Sequence, residues 1–172
     1  CCAISNDFIK KRIDKEYDKN SALALKGKVN VKIVNKLLNH KYFKTSFPKS
    51  LDRFDIHFNN LDDLKNLNTF DGLATINEFI ACTIKIGIGK FLNKVKGIII
   101  LGGGRKNKDL INKIQNKFKI QIYIAEELGI DGDFAESNAF AYLAIRSIKN
   151  LSISFPSTTG VSKAISGGKK IN

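Results

Sequence analysis

Lys96-Gly-Ile-Ile-Ile-Leu-Gly-Gly-Gly-Arg-Lys-Asn107 decides how this chain is read. The aliphatic run Ile98 to Leu101 stops at three consecutive glycines, and a helical pattern begins directly after Asn107. A short aliphatic run bounded by glycine reads as a buried parallel strand. Glycines at its end leave the backbone without Cβ atoms, so a flat or bulky group can approach closely. In open α/β sheets, ligands bind at the carboxyl ends of strands, where Gly102, Gly103 and Gly104 fall. The stretch matches neither a GxGxxG fingerprint nor a Walker A loop, so a tight turn without a ligand stays open on the glycines alone.

Working outward, Leu73, Ile76, Ile80, Ile84 and Ile88 trace one stripe of a long helix from Asp71 to Leu92. Phe79, Cys82 and Ile86 make its other side apolar too. A helix apolar on two sides packs between layers. The pattern then predicts a strand over 97–101, a helix over 108–118, a strand over 120–124, a loop over 125–132 and a helix over 134–148. That order implies right-handed crossovers and a parallel sheet. The expectation is an α/β fold with Ile98–Leu101 as a central strand and the long helix packed on the sheet. Before it, residues 5–39 read as helical with a break at Asp18-Lys19-Asn20, 42–58 as irregular and aromatic, and 61–67 as a short helix or turn. The tail from Ser152 reads as a wrapping loop.

At 172 residues and 43% hydrophobic content the chain suits one ordinary domain, or one large and one small lobe. No apolar run is read as approaching the roughly 18 residues of a bilayer span, and no secretory leader is evident, so a cytoplasmic protein away from membranes is expected. The absence of methionine and the opening on Cys1 suggest a fragment or a processed product. Cys1, Cys2 and Cys82 with His40 and His57 form no recognisable metal or disulfide pattern. The net charge of +13 is nearly all lysine, scattered without arginine or aromatic clusters. Such a surface reads as solvating rather than nucleic-acid-binding.

Two roles are open to Asn107: holding a ligand's polar edge, or capping the helix that follows it. Two are open to Glu136 as well. On the first turn of a helix it can accept a hydrogen bond from a sugar hydroxyl, or it can complete a variant capping box with Asp133. Ser157 to Gly160 suit a solvated loop. Lys49, Ser50 and Arg53 have the chemistry of an anion site but fit a surface loop. No Ser-His-Asp or Cys-His arrangement is legible.

Several ordered segments together resemble the C-terminal half of the anhydro-N-acetylmuramic acid kinase family, sugar kinases of the actin/hexokinase type. They are Tyr17-Asp18 with Gly27-Lys28-Val29, then Phe47-Pro48-Lys49-Ser50 with Arg53, and Ala74-Thr75-Ile76 with Phe79 and Ala81. Gly102-Gly103-Gly104 with Asn107 follow, then Gly129-Ile130-Asp131 with Glu136, Ala139-Phe140-Ala141 and Leu143-Ala144. Pro156, Thr158-Thr159-Gly160 and Gly167-Gly168 complete the series. The family turn usually has Ala-His where Arg105-Lys106 stand here, and its Gly-Thr-Ser phosphate loop and Asp-Thr-Gly-Pro-Gly catalytic segment are not in this sequence.

The resemblance implies the C-terminal lobe of an actin-like (RNase H-like) ATPase fold, binding ATP and Mg²⁺ between two lobes. Residues 1–70 would form a helical, substrate-side portion and 71–172 an α/β, nucleotide-side portion. The whole enzyme would open the 1,6-anhydro ring of anhydro-N-acetylmuramic acid with water and phosphorylate O6, in peptidoglycan recycling. Gly102, Gly103, Gly104 and Asn107 would face the nucleotide and Glu136 the sugar. The catalytic aspartate would precede Cys1, so this chain alone would be inactive and would work with an N-terminal lobe, as a homodimer. The rival is a noncatalytic binding module on a decayed kinase lobe, with nucleic acid on its lysines as one ligand class. The reading frame upstream of Cys1 discriminates the two.

Overall fold

A computed structural model describes residues 2–49, 62–89 and 91–169. Ser50, Arg53, His57 and Leu61, singled out above, lie outside these residues, as does Cys1. Helix α1 (Ala3–Ile13) is followed by two single 3₁₀ turns, then α2 (Val31–Leu38), α3 (Lys41–Lys44) and α4 (Asp62–Lys65). The long helix α5 (Thr69–Gly89) leads to strand β1 (Gly97–Ile100), helix α6 (Lys108–Gln115) and strand β2 (Gln121–Ile124). Helix α7 (Ala135–Ile148) and the one-turn α8 (Pro156–Thr159) complete the described elements.

The N-terminal half of α5 is the centre of the core. Leu73, Ala74, Ile76, Phe79, Ile80 and Ala81 are all buried, so the two-sided apolar pattern does put this helix between layers. It packs chiefly against α6, the 3₁₀ turn Ala24–Lys26, α1 and α2. Phe8 and Ile9 of α1, Ile33 of α2, and Leu110 and Ile114 of α6 share its cluster. Thr69–Gly89 is long and apolar enough to cross a membrane by length and composition, yet half of that stretch is buried inside the protein. Close packing fixes one glycine here. A Cβ on Gly72 would overlap the Phe8 ring at 2.2 Å, so this turn of the helix must be bare for α1 to dock.

Strands β1 and β2 pair in parallel, Gly97 with Gln121 through Ile100 with Ile124, joined by α6 as the crossover. The expected parallel arrangement is present, but β1 is not a central strand. Among the described residues the sheet has two strands, and the other edge of β1 has no partner. Ile99 and Leu101 are consequently 45% and 46% exposed. Ile98, Ile100 and Ile122 still join the α5–α6 core. The aliphatic run thus has one covered side rather than two.

Helix α7 buries no residue. Phe140, Tyr142, Ile145 and Ile148 stand exposed on it, Ile148 by 76%. The tail returns beside it through an antiparallel bridge between Ser154 and Ile165. The hydroxyls of Thr158 and Thr159 both donate to the Phe155 carbonyl, as expected of a local turn.

A glycine-walled candidate cleft

The three glycines leave β1 and enter a 3₁₀ turn, Gly103–Lys106, before α6 starts. Gly102 adopts φ +68°, the left-handed region that favours glycine. Gly103 has no such requirement, and a Cβ built on it would meet nothing within 4 Å. Among the described residues, neither backbone geometry nor packing calls for a glycine there, and the space beside it is open. All three glycines and Asn107 wall a cavity of about 830 Å³, within the range of small-molecule sites. Its far sides come from Ser5 and Asn6 of α1, the Tyr17–Asn20 loop, Asn77 of α5 and the open side of β1.

Asn107 performs the capping role. Its Oδ1 accepts from the Leu110 N–H at 3.0 Å, at the N-terminus of α6. The same oxygen accepts from the Ser21 hydroxyl at 2.6 Å, and Nδ2 donates to Asn77 Oδ1 at 3.2 Å. Asn77 in turn donates to Asp109 Oδ2 at 2.9 Å, and Lys113 closes the set at Asp109 Oδ1, 2.5 Å. Ser21, Asn77 and Asp109 are buried, and among the described residues no buried side-chain polar atom lacks a partner. A satisfied buried network of this kind rigidifies its surroundings. Asn107 therefore faces the cavity as a locked cap, and the glycines present the freer wall.

Ser21 and Asn77 are not among the residues that sequence motifs mark. Asn77 carried a signal, a polar amide inside the apolar pattern of α5. Ser21 had none, because its partners, Asn107 and the Asp109 amide, are more than 80 residues away. Asp18 stabilises that loop by accepting from the Leu23 and Ala24 amides at 3.0 and 2.9 Å. Cys2 reaches the floor of the cleft near Gly104, and burial pushes its thiol pKa up.

Arg105 and Lys106 are both ion-paired. Arg105 is buried, and its Nε donates to Glu126 Oε1 at 2.6 Å, its Nη1 to Asp133 Oδ1 and the Gly102 carbonyl at 2.9 Å each. Lys106 lines the cavity with its ammonium 2.9 Å from both Asp133 oxygens. Hydrogen bonds from Arg105 first, then Lys106, hold the Asp133 carboxyl well below the usual carboxylate range.

These contacts also remove the capping-box reading at 133 and 136. Asp133 points to Arg105 and Lys106, while Asp131 Oδ1 accepts from the Asp133 and Phe134 amides. Helix α7 starts from Phe134 without a side-chain cap, and Glu136 stands exposed on its first turn. Glu136 does not line the glycine-walled cavity. The structure thus groups Gly102, Gly103, Gly104 and Asn107 and leaves Glu136 outside the group. Lys49 is engaged locally, donating to the Tyr42 and Thr45 carbonyls at 2.6 and 3.0 Å.

The family model for anhydro-N-acetylmuramic acid kinase matches residues 3–171. The anhydro-N-acetylmuramic acid kinase of Brucella anthropi is 38% identical over 166 residues, 96% of this chain and 44% of its own length. That of Zymomonas mobilis is 34% identical over 164 residues, and that of Mesorhizobium japonicum 37% over 164, each across 95% of this chain. The chain spans 44% and 43% of those two relatives. The shared stretch is a C-terminal part of the kinase. With an α/β frame, a glycine-walled cleft at a strand end and a match over nearly its whole length, this chain belongs to the anhydro-N-acetylmuramic acid kinase family.

Proposed function

We propose that this chain is the C-terminal lobe, supplying the nucleotide side and part of the sugar pocket, of an ATP-dependent kinase that hydrates the 1,6-anhydro bond of anhydro-N-acetylmuramic acid and phosphorylates O6. The observation that carries the reading is Gly103, a glycine with ordinary backbone geometry and open space where its side chain would be, on the wall of the cleft. A planar adenine or ribose can lie against bare backbone there, at the carboxyl end of β1. The Lys106 ammonium at the rim favours an anionic ligand, although Asp133 partly neutralises it. Glu136, free of hydrogen-bond partners among the described residues and on the first turn of α7, suits a sugar hydroxyl.

The described residues fit magnesium poorly as a directly held ion. Among the described residues no group of three His, Cys, Asp or Glu side chains stands together. Asp18, the carboxylate lining the cleft, already accepts from two backbone amides. Magnesium bound mainly through substrate phosphates asks for only one or two carboxylates, and those would come from elsewhere in the enzyme. The aspartate that activates water is assigned elsewhere as well.

Among the described residues nothing pairs with the outer edge of β1 and the apolar face of α7 stands exposed, which supports a lobe that works with a further portion of protein. More than half of each relative's length lies outside the match. Exposed lysines such as Lys10 and Lys36 form ion pairs with Glu16 and Asp63, in keeping with a solvating surface.

The test is steady-state kinetics on this chain joined to the remaining portion of a family kinase. Gly103→Val should raise KM for ATP with little change for the sugar. Glu136→Gln should raise KM for anhydro-N-acetylmuramic acid by about tenfold or more, the scale of one charged hydrogen bond. If Glu136→Gln lowers only the melting temperature, Glu136 has no part in the sugar site.

A further inference from the structure

Arg105 is a charged residue only 9% exposed, five positions beyond the end of the strand it follows. A buried guanidinium must be paired and hydrogen-bonded to be tolerated. Here its partners come from three places: the Gly102 carbonyl on the turn itself, Glu126 just after β2, and Asp133 just before α7. A backbone bond runs beside them, from the Gly102 N–H to the Gly132 carbonyl at 3.0 Å. The turn and the 125–133 loop are therefore tied by one backbone bond and one arginine fork.

Gly132 makes room for that fork. Its backbone is outside the left-handed region, so conformation does not call for glycine. Space does. A Cβ at 132 would stand 2.5 Å from Arg105 Nε and 2.8 Å from Cζ. Those atoms cannot step aside cheaply, because two carboxylates pin the guanidinium. Arg105 is not among the residues that wall the cleft, whereas the glycines it steadies are. It is thus unsuited to touch a ligand and suited to hold the wall that does.

We infer that Arg105 is a positioning residue that, with Gly132 as its socket, fixes the Gly102–Gly104 wall to the loop leading into α7. The wall keeps one spacing from the start of α7, where Glu136 stands. The ligand half of this inference rests on the nucleotide reading of the cleft, and the mechanical half does not.

The experiment is a double-mutant cycle, Arg105→Ala, Gly132→Ala and both together, read by amide hydrogen exchange at Gly102 and by ATP titration well below the melting temperature. Each single change is expected to speed Gly102 exchange by about tenfold or more, as a local opening would, and to weaken ATP by about tenfold. The double variant should be no worse than Arg105→Ala alone, since without the guanidinium the new methyl has space. Should Arg105→Ala not fold, Arg105→Lys, which keeps the charge and loses the fork, carries the same reading. Unchanged Gly102 exchange, or additive effects in the double variant, overturns the inference. A loosened turn with undiminished ATP affinity makes Arg105 structural only and overturns its ligand half. If the unaltered protein binds no ATP, the nucleotide reading falls, while exchange still decides whether Arg105 holds the turn.

Discussion

Ser21 and Asn107, 86 residues apart in sequence, are joined by a 2.6 Å hydrogen bond at the foot of the glycine turn. Ser21 is fully buried, and its backbone is left-handed at φ +58°. Its hydroxyl also accepts from the Asp109 amide at 3.3 Å. One strained residue in the loop after α1 thereby fastens the start of α6, and with it the wall of the cleft.

That geometry separates two substitutions. Ser21→Ala loses both hydrogen bonds and keeps the strain, so it should cost about 1–3 kcal/mol. Ser21→Gly loses the same bonds and relieves a left-handed penalty of about 1–2 kcal/mol, against a smaller entropic cost. Urea midpoints should therefore rank Ser21→Gly above Ser21→Ala, by about 1 kcal/mol. The reverse ranking would mean that the backbone at Ser21 is not strained.

Two glycines should respond in opposite directions to alanine. A Cβ on Gly27 would lie 2.0 Å from the Phe70 carbonyl oxygen, which is backbone and cannot rotate away. Gly27→Ala should cost at least about 1–3 kcal/mol. Gly87, inside α5, has nothing within 4 Å of that position, and Gly87→Ala should stabilise by about 1 kcal/mol through helix propensity. Thermal melts of the two variants decide the matter, and similar shifts in both would contradict this packing.

Asp133 gives the structure a pH signature. Its folded pKa is depressed, so its contribution is present above the unfolded value of about 3.9 and lost as pH falls through the folded one. Glu126 is lowered too, first by its own backbone amide and then by Arg105. Asp133→Asn should lower the melting temperature at neutral pH, and the deficit should shrink below about pH 4. Both carboxylates are half exposed, so the effect should also weaken in salt. A deficit that stays constant from pH 7 to 2 would show that the charge of Asp133 plays no part.

The elements that sequence predicts well are those fixed by local pattern. Ile98 to Ile100 form a strand, the glycines turn, Asn107 caps, and the apolar stripe of α5 is buried through Ile80. What escapes is settled by distant partners. Nothing near Arg105 in sequence says that its guanidinium goes to Glu126 and Asp133, and nothing near Ser21 says that it meets Asn107. The reading of Ile98–Leu101 as central overstated its cover, since an aliphatic run reports the burial that a strand is suited to, and here one flank is open. The same holds for Phe140 and Ile145, apolar residues on a helix that buries none of them. Among the site residues, Glu136 had two readings from sequence, and one is removed because Asp133 is taken by two cations.

The central claim, that the glycine wall receives a nucleotide, is tested most directly by isothermal titration of ATP into this chain joined to the remaining portion of a family kinase, and into its Gly103→Val and Glu136→Gln variants. ATP should bind the unaltered chain, weaken by about tenfold or more with Gly103→Val, and bind Glu136→Gln as before. The Gly103→Val melting temperature should stay near that of the unaltered chain, because a Cβ there meets no atom of the described residues within 4 Å. Equal ATP affinity in the unaltered chain and Gly103→Val would contradict the account.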